Sequence, residues 1–206
     1  MSASSDAARA DAVDMAFTLR GGAILADYGE QLAAELARCL PWLGDEPRAG
    51  VHPLGGVSDG DGERYLSGRS RLILRLPRAR VEQAGALCGC RLDLGSPVEV
   101  GQATLRELSP ATVLYSSFVS CSSADEAVFM AECQREVAGF GFRNASLICG
   151  KARRTGAAEI SGFSLMVHGL QPPESLRLQS AGLGGYRQRG CGIFVPHKSI
   201  AGVGEG

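Results

Sequence analysis

The fold is decided by two neighbouring segments, ATVLYSSFVSC (residues 111–121) and SADEAVFMAECQREVAGF (residues 123–140). The first segment is rich in β-branched and aromatic residues, which predicts a strand. The second has Ser or Asp at its start and Gly139 at its end, the signals of a capped helix. A strand followed by a helix is the opening unit of an α+β domain.

The remainder of the second half continues that pattern. ASLICGKARR (145–154) and AEISGFSLMVHGL (158–170) read as two strands joined by a turn, and PPESLRLQSAG (172–182) as a short helix with proline at its start and glycine just past its end. CGIFVP (191–196) reads as a last strand. Strand, helix, strand, strand, helix, strand is the ferredoxin-like order.

The first half approximates the same order less clearly. Its predicted elements are a strand in AFTLRG (16–21), a helix in YGEQLAAELARCL (28–40) capped by Asp27, a turn-rich GVHPLGG (50–56), a strand in RSRLILRLP (69–77), a weaker helix in ARVEQAGALCG (79–89) and two strands in CRLDLGSPVEVGQATLREL (90–108). We therefore predict an α+β fold of two tandem ferredoxin-like (βαββαβ, RRM-like) domains with a C-terminal glycine-rich loop. The expected division is a disordered tail at 1–14, one domain at 15–110 and a second at 111–206.

Composition is that of an ordinary folded protein, with 45% hydrophobic and 21% charged residues among 206. No apolar run approaches the ~18–20 residues that span a bilayer, and the N-terminus does not resemble a secretory signal. We expect a cytoplasmic protein that contacts no membrane. The seven cysteines are then reduced, and since none is spaced as in zinc sites, we expect no metal and no other cofactor.

Charge is unevenly distributed along the chain, although the net charge is −1. Residues 1–63 and 111–140 are acidic, at −7 and −3, whereas residues 64–110 and 141–206 are basic, at +4 and +5. A basic face on a nearly neutral protein is one interpretation. Base composition of the genome is the other, because 19 of the 21 basic residues are arginine.

The segment GLGGYRQRGCG (182–192) combines five glycines with two arginines. Gly182 is explained as a helix C-cap, but this leaves Gly184, Gly185, Gly190 and Gly192 unexplained. Glycines let backbone N–H groups approach an anion closely, and Arg187 and Arg189 point the same way if the segment is extended. We predict a phosphate-binding loop, which matches neither the Walker nor the Rossmann pattern.

The same glycines carry a resemblance to a known family. Gly182 and Gly184, five residues, then Gly190 and Gly192 resemble the G-h-G-x5-G-h-G loop of the CRISPR-associated repeat-processing endoribonucleases of the RAMP superfamily. DYGEQLAAELARCLPWL, GVHPLGG, SGRSRLILRLP, GFSLMVHGL and GCGIFVPHKSI are similar to the subtype named for Myxococcus, over about residues 15–203. The resemblance implies paired ferredoxin-like domains and a glycine loop that contacts RNA.

The resemblance also implies an activity, the cleavage of repeats in precursor CRISPR RNA to make guide RNAs for antiviral defence. Cleavage would need no metal: the 2′-hydroxyl attacks the neighbouring phosphate and leaves a 2′,3′-cyclic phosphate and a 5′-hydroxyl. The implied partner is precursor CRISPR RNA, with subunits of a type I effector complex as further candidates and no direct DNA contact. The alternatives are a non-catalytic RNA-binding subunit, or a small-molecule-binding regulatory protein with the same paired folds.

Histidine suits the proton transfers of this chemistry, and the chain has three. His52 follows the first helix, where the resemblance places a catalytic histidine. His197, beside Lys198, is predicted to have an RNA role, either in contacting phosphate or as the second proton carrier, and His168 is predicted to be structural. For Tyr28 we favour packing over a role in orienting the nucleophile.

Several cations complete the predicted site. Arg69 and Arg71 lie two residues apart at the start of a strand and so project from one face. Arg69 and Lys198 are predicted to stabilise charge in catalysis, and Arg71 to bind RNA. Lys151, Arg153 and Arg154 lie near a hairpin tip, where they would hold RNA phosphates.

Overall fold

The computed structural model describes residues 10–58, 62–155 and 160–197. The strands are β1 (Ala12–Arg20), β2 (Ala23–Leu25), β3 (Gly50–Val51), β4 (Val57–Ser58), β5 (Glu63–Tyr65), β6 (Arg71–Pro77), β7 (Arg91–Asp93), β8 (Pro97–Glu107), β9 (Val113–Ser120), β10 (Ser146–Thr155), β11 (Ile160–His168) and β12 (Val195–Pro196). The α-helices are α1 (Gly29–Cys39), α2 (Val81–Ala84), α3 (Glu126–Gly139) and α4 (Pro172–Ala181). No helix in these ranges is long and apolar enough to cross a membrane.

The second half has the predicted topology. Its antiparallel sheet has the order β10-β11-β9-β12, with α3 after β9 and α4 after β11. The α3 cap is also as predicted, because the Asp125 carboxylate accepts hydrogen bonds from the N–H groups of Ala127 and Val128 at 2.7 and 3.2 Å. These elements form the ferredoxin-like βαββαβ unit.

The first half forms a sheet in the order β3-β6-β1-β8-β7. Without the edge strand β7 this is the same ferredoxin-like order, with β3 as the second strand of the unit. The short β3 lies within GVHPLGG, which the sequence predicts as a turn. Strands β2, β5 and β4 form a small third sheet that the sequence pattern does not predict.

Each half packs its own apolar core. The first includes Phe17, Leu36 and Leu74, and the second includes Phe129 and Phe163, whose rings stack with centroids 4.7 Å apart. The two cores agree with the predicted fold class, whereas a boundary near residue 110 remains a prediction. Leu32, Leu36 and Leu40 recur every four residues and form the apolar stripe by which α1 packs on the first core.

Some predicted boundaries differ from the structure. Strand β1 starts at Ala12, inside the predicted tail at 1–14, because the β1–β6 ladder begins with the pair Ala12 and Pro77. The first nine residues of that tail lie outside the described residues. Helix α1 begins after Tyr28 without a side-chain cap, so the prediction that Asp27 caps it is wrong.

Candidate active site

A cleft opens between the two halves of the molecule. Its walls come from the start of α1, the residues after β3, strand β5, strand β10 and the glycine-rich segment at 182–192. The polar and charged residues that line it include Tyr28, His52, Arg64, Arg153, Arg154, Gln188 and Arg189. Four arginines and one carboxylate, that of Asp27, thus border a single cavity, so the excess of positive charge suits an anionic ligand.

His52 lies in the wall of this cleft, directly after the edge strand β3. Its backbone N–H donates to the Ile73 carbonyl at 2.9 Å, which ties it to β6. Its Nε2 lies 3.2 Å from Oδ1 of Asp14, and its side chain is 11% exposed. Within the described part of the chain, Nδ1 makes no hydrogen bond. The structure thus brings His52 into the cleft with one ring nitrogen held by a carboxylate.

Asp14 is itself held by a buried arginine. Asp14 on β1 pairs with Arg75 on β6 in the strand register. The Arg75 Nε and Nη2 atoms donate to Oδ1 and Oδ2 of Asp14 at 2.8 and 2.9 Å, a two-pronged geometry that fixes the carboxylate. Arg75 Nη1 also donates to the carbonyls of Gln179 and Phe194, at 3.1 and 2.6 Å, so this contact spans the two halves.

The electrostatics of these groups keep His52 uncharged. Burial lowers the pKa of His52, and the hydrogen bond and charge of Asp14 raise it only in part, so the pKa is below its usual value. Burial alone would raise the pKa of Asp14, but hydrogen bonds from His52 and Arg75 and the charge of Arg75 lower it overall. A neutral imidazole beside an ionised carboxylate is a competent proton acceptor.

Tyr28 also lines the cleft. The N–H of Leu54 donates to the Tyr28 oxygen at 2.6 Å, which leaves the phenolic proton free to be donated. Burial raises the pKa of Tyr28, so the phenol keeps that proton at neutral pH. The ring also packs on the first core, as predicted, and the Arg64 guanidinium lies 5.9 Å from its centroid.

The arginines of the cleft are held by different contacts. Arg64 Nη1 donates to the Gly56 carbonyl at 3.2 Å, and among the described residues no carboxylate pairs with it. Arg189 forms an ion pair with Glu30 at 3.0 Å and lies 5.6 Å from the ring centroid of Tyr186. Arg153 and Arg154 reach the cleft from β10. This wall combines cations with hydrogen-bond donors, as phosphate contacts require.

Arg187 is not among the residues that line the cleft, so the structure does not support its role in binding RNA phosphate, which stays a prediction. Its side chain is buried, and its guanidinium donates to the carbonyls of Ala181 and Ser180 at 2.6 and 3.1 Å. A longer contact of 3.4 Å reaches the Arg48 carbonyl in the first half. Residues 187–189 form a 3-10 turn instead of the extended segment assumed for the prediction.

Two glycines of the segment, Gly182 and Gly192, are required by packing within the protein. Gly182, Gly184, Gly190 and Gly192 all have positive φ, where other residues are strained. A Cβ on Gly192 would lie 2.0 Å from the Leu183 carbonyl oxygen, and one on Gly182 would lie 1.7 Å from Arg187 Nη1. The prediction attributed these glycines to close approach of RNA. Contacts within the protein are sufficient to explain Gly182 and Gly192.

Other predicted residues lie away from the cleft walls. Among the described residues, Arg69, Arg71, Lys151 and His197 are not part of the lining. Arg69 is exposed in the turn before β6, Arg71 donates to the Gly68 and Ser70 carbonyls, and His197 is exposed with its ring centroid 5.6 Å from that of Tyr115. Lys198 lies outside the described residues. The histidine predicted to be structural, His168, is half-buried at the end of β11.

Sequence reasoning missed Asp14, Arg75 and Arg64. Asp14 and Arg75 each interrupt an apolar strand, in AVDMAF and LILRLP. A charge in a strand that is buried on both faces needs a partner, so these two opposite charges were a usable signal. Arg64 carries no such signal, because only the fold brings strand β5 to the cleft.

Two βαββαβ folds that share an arginine-lined cleft define a protein of the paired ferredoxin-like class. A solved structure titled "CRISPR associated protein Cas6" matches with a TM-score of 0.61 at 13% identity, covering 91% of this chain and all of that one. Another, titled "An RAMP protein binding different RNA substrates", matches with a TM-score of 0.58 at 13% identity, covering 90% of this chain and all of that one. These likenesses support the fold.

Sequence comparison identifies the family within this class. Residues 13–199 match the family described as Cas6 Crispr. A curated protein of Myxococcus xanthus (strain DK1622), "CRISPR-associated endonuclease Cas6", is 36% identical over 188 residues, covering 89% of this chain and 81% of that protein. The chain belongs to the Cas6 family and is a homologue of a CRISPR-associated endonuclease.

Proposed function

We propose that this protein is a metal-independent endoribonuclease that cleaves precursor CRISPR RNA within its repeats. One observation carries the proposal: a neutral histidine, held by an ionised carboxylate, opens into a cleft lined by four arginines. RNA supplies its own nucleophile, the 2′-hydroxyl, so the protein needs a base and cations more than a cofactor. Membership of the Cas6 family supports the choice of substrate.

In the proposed reaction His52 takes the proton of the 2′-hydroxyl as that oxygen attacks the phosphorus. The bond between phosphorus and the 5′-oxygen breaks, and the departing oxygen takes up a proton from water, while His52 returns the proton that it accepted to solvent. Arg64, Arg153 and Arg189 border the space where the negative phosphorane would form, and fixed cations there lower the barrier without reorganising. The Tyr28 hydroxyl, held by Leu54, is placed to donate a hydrogen bond to the same group.

The test is cleavage of repeat RNA transcribed from the CRISPR array of the genome that encodes this chain, in excess EDTA. We expect His52→Ala to lower the single-turnover rate by about 100-fold or more, the usual contribution of a positioned base, while RNA binding is kept. His168→Gln is the matched control, since His168 does not line the cleft in the described part of the chain. A 2′-deoxy sugar just upstream of the cut should abolish cleavage.

Each other result has a definite meaning. Cleavage by His52→Ala at the wild-type rate would leave the endonuclease in place and remove His52 as its base, which makes His197 the next histidine to test. Wild-type protein that binds the RNA in a salt-dependent way but never cuts it would be a non-catalytic RNA-binding subunit.

We also propose that the enzyme acts in the cytoplasm, either alone or with other subunits of a type I effector complex.

A further inference from the structure

Asp14, on strand β1, contacts His52 and is not itself part of the described lining of the cleft. We propose that Asp14 is a positioning residue that holds the Nε2–H of His52, so that Nδ1 is the atom that takes the proton from RNA. This inference rests on the proposed function for its chemistry. Which ring nitrogen of His52 carries the proton can be tested without RNA.

The hydrogen-bond inventory fixes which nitrogen is basic. Both oxygens of Asp14 accept bonds from Arg75, at 2.8 and 2.9 Å, so the carboxylate is ionised and can only accept. The 3.2 Å contact with His52 then requires a proton on Nε2. A neutral imidazole has one N–H, so the lone pair must lie on Nδ1. Nδ1 has no hydrogen-bond partner among the described residues, which leaves it available to substrate.

The support for this orientation extends beyond Asp14. Arg75 is 1% exposed and is itself held by the carbonyls of Gln179 and Phe194. The His52 N–H bond to Ile73 fixes the backbone from which the ring projects. A ring flip would break the contact with Asp14 and place a C–H against a carboxylate. The base is thus aimed by a chain of contacts that starts in the other half of the molecule.

Three charged groups act on His52 from the elements packed around it. Asp14 on β1 raises its pKa, whereas Arg75 on β6 and Arg187 in the glycine-rich segment lower it. Removal of the Asp14 charge leaves both arginines in place. The pKa of His52 should therefore fall in Asp14→Asn, and the acidic limb of the cleavage profile should move to lower pH.

The first experiment is ¹⁵N NMR of the histidine side chains in the wild-type protein. The chain has only three histidines, and His52→Gln assigns the signal of interest. We expect Nε2 protonated and Nδ1 unprotonated at neutral pH. A protonated Nδ1 would overturn the inference, and this result does not depend on whether the protein cuts RNA.

The second experiment measures single-turnover cleavage of the repeat RNA by Asp14→Asn across pH. We expect the rate at saturating enzyme to fall about 10- to 100-fold, as for other groups that orient a reactive side chain, with RNA affinity changed less than about twofold and the acidic limb shifted to lower pH. Glu107→Gln is the matched control, because it removes the carboxylate of an arginine pair from the same sheet at an exposed site.

The outcomes separate this inference from the proposed function. If Asp14→Asn cuts at the wild-type rate with an unshifted acidic limb, Asp14 does not position His52, although the endonuclease stands. If wild-type protein never cuts, the proposed function fails and the NMR result still decides which nitrogen of His52 carries the proton. If Asp14→Asn does not fold, because Arg75 is left buried without its partner, the wild-type NMR spectrum decides alone.

Discussion

At the scale of single residues, Arg187 and Arg189 show how local geometry separates two like charges. A 3-10 turn has about three residues per turn, so side chains two positions apart point in different directions. In an extended segment they would share one face. The turn at 187–189 accordingly sends Arg187 into the protein and leaves Arg189 in the cleft with Glu30.

Because Arg187 is buried and Arg189 lines the cleft, we expect substitution of the first to lower stability and substitution of the second to weaken RNA binding. Arg187→Met should lower the free energy of unfolding by about 2–4 kcal/mol, because buried carbonyls lose their donors. Arg189→Ala should change it by less than about 1 kcal/mol, since exposed ion pairs contribute little, but should reduce the slope of log RNA affinity against log salt by about one. Urea unfolding and RNA titrations at several salt concentrations measure both. Unchanged stability with lost RNA affinity in Arg187→Met would instead support the prediction that Arg187 binds RNA phosphate.

At the scale of secondary structure, a helix could be predicted from sequence where residues at its own ends mark its start and its end. Helix α3 has the Asp125 cap and helix α4 has Gly182 just past its end, as predicted. Strand β3 was missed because two residues pair with β6 only through a non-local contact, Gly50 with Arg75. His52 was predicted from a resemblance. Its partner Asp14 was not predicted, because the two residues come together only when β1 and β3 both pair with β6.

The glycine-rich segment supports a second prediction, on backbone geometry. Gly192→Ala should destabilise the protein by about 2 kcal/mol or more, because its positive φ alone costs an alanine about 1–2 kcal/mol and the added carbon would lie 2.0 Å from the Leu183 carbonyl oxygen. Gly185→Ala is the matched control, since the nearest atom to its added carbon is Ser120 Oγ at 3.8 Å. Thermal unfolding of the two variants makes the comparison. Equal melting temperatures would mean that the segment relaxes around the methyl group.

At the scale of the whole molecule, two cores are joined by buried arginines that cross between them. Arg75 extends from the first half to the carbonyls of Gln179 and Phe194, and Arg187 extends from the second half to the Arg48 carbonyl. A buried guanidinium without these acceptors would lose hydrogen bonds that water cannot replace. Each half therefore supplies acceptors that a cation of the other half requires, so we expect the halves to unfold together.

Two probes test this cooperativity, one in each core. Trp42, the only tryptophan, packs on the first core, and Cys133 is buried in the second, where burial raises its pKa to about 12 and slows alkylation. Tryptophan fluorescence and mass-spectrometric alkylation of Cys133 should give one urea midpoint. Arg75→Met should lower both midpoints equally, with about 3 kcal/mol or more of stability lost, as when a buried ion pair is broken. A lower Trp42 midpoint with an unchanged Cys133 midpoint would mean that the halves fold independently and that the contacts of Arg75 with Gln179 and Phe194 do not couple their unfolding.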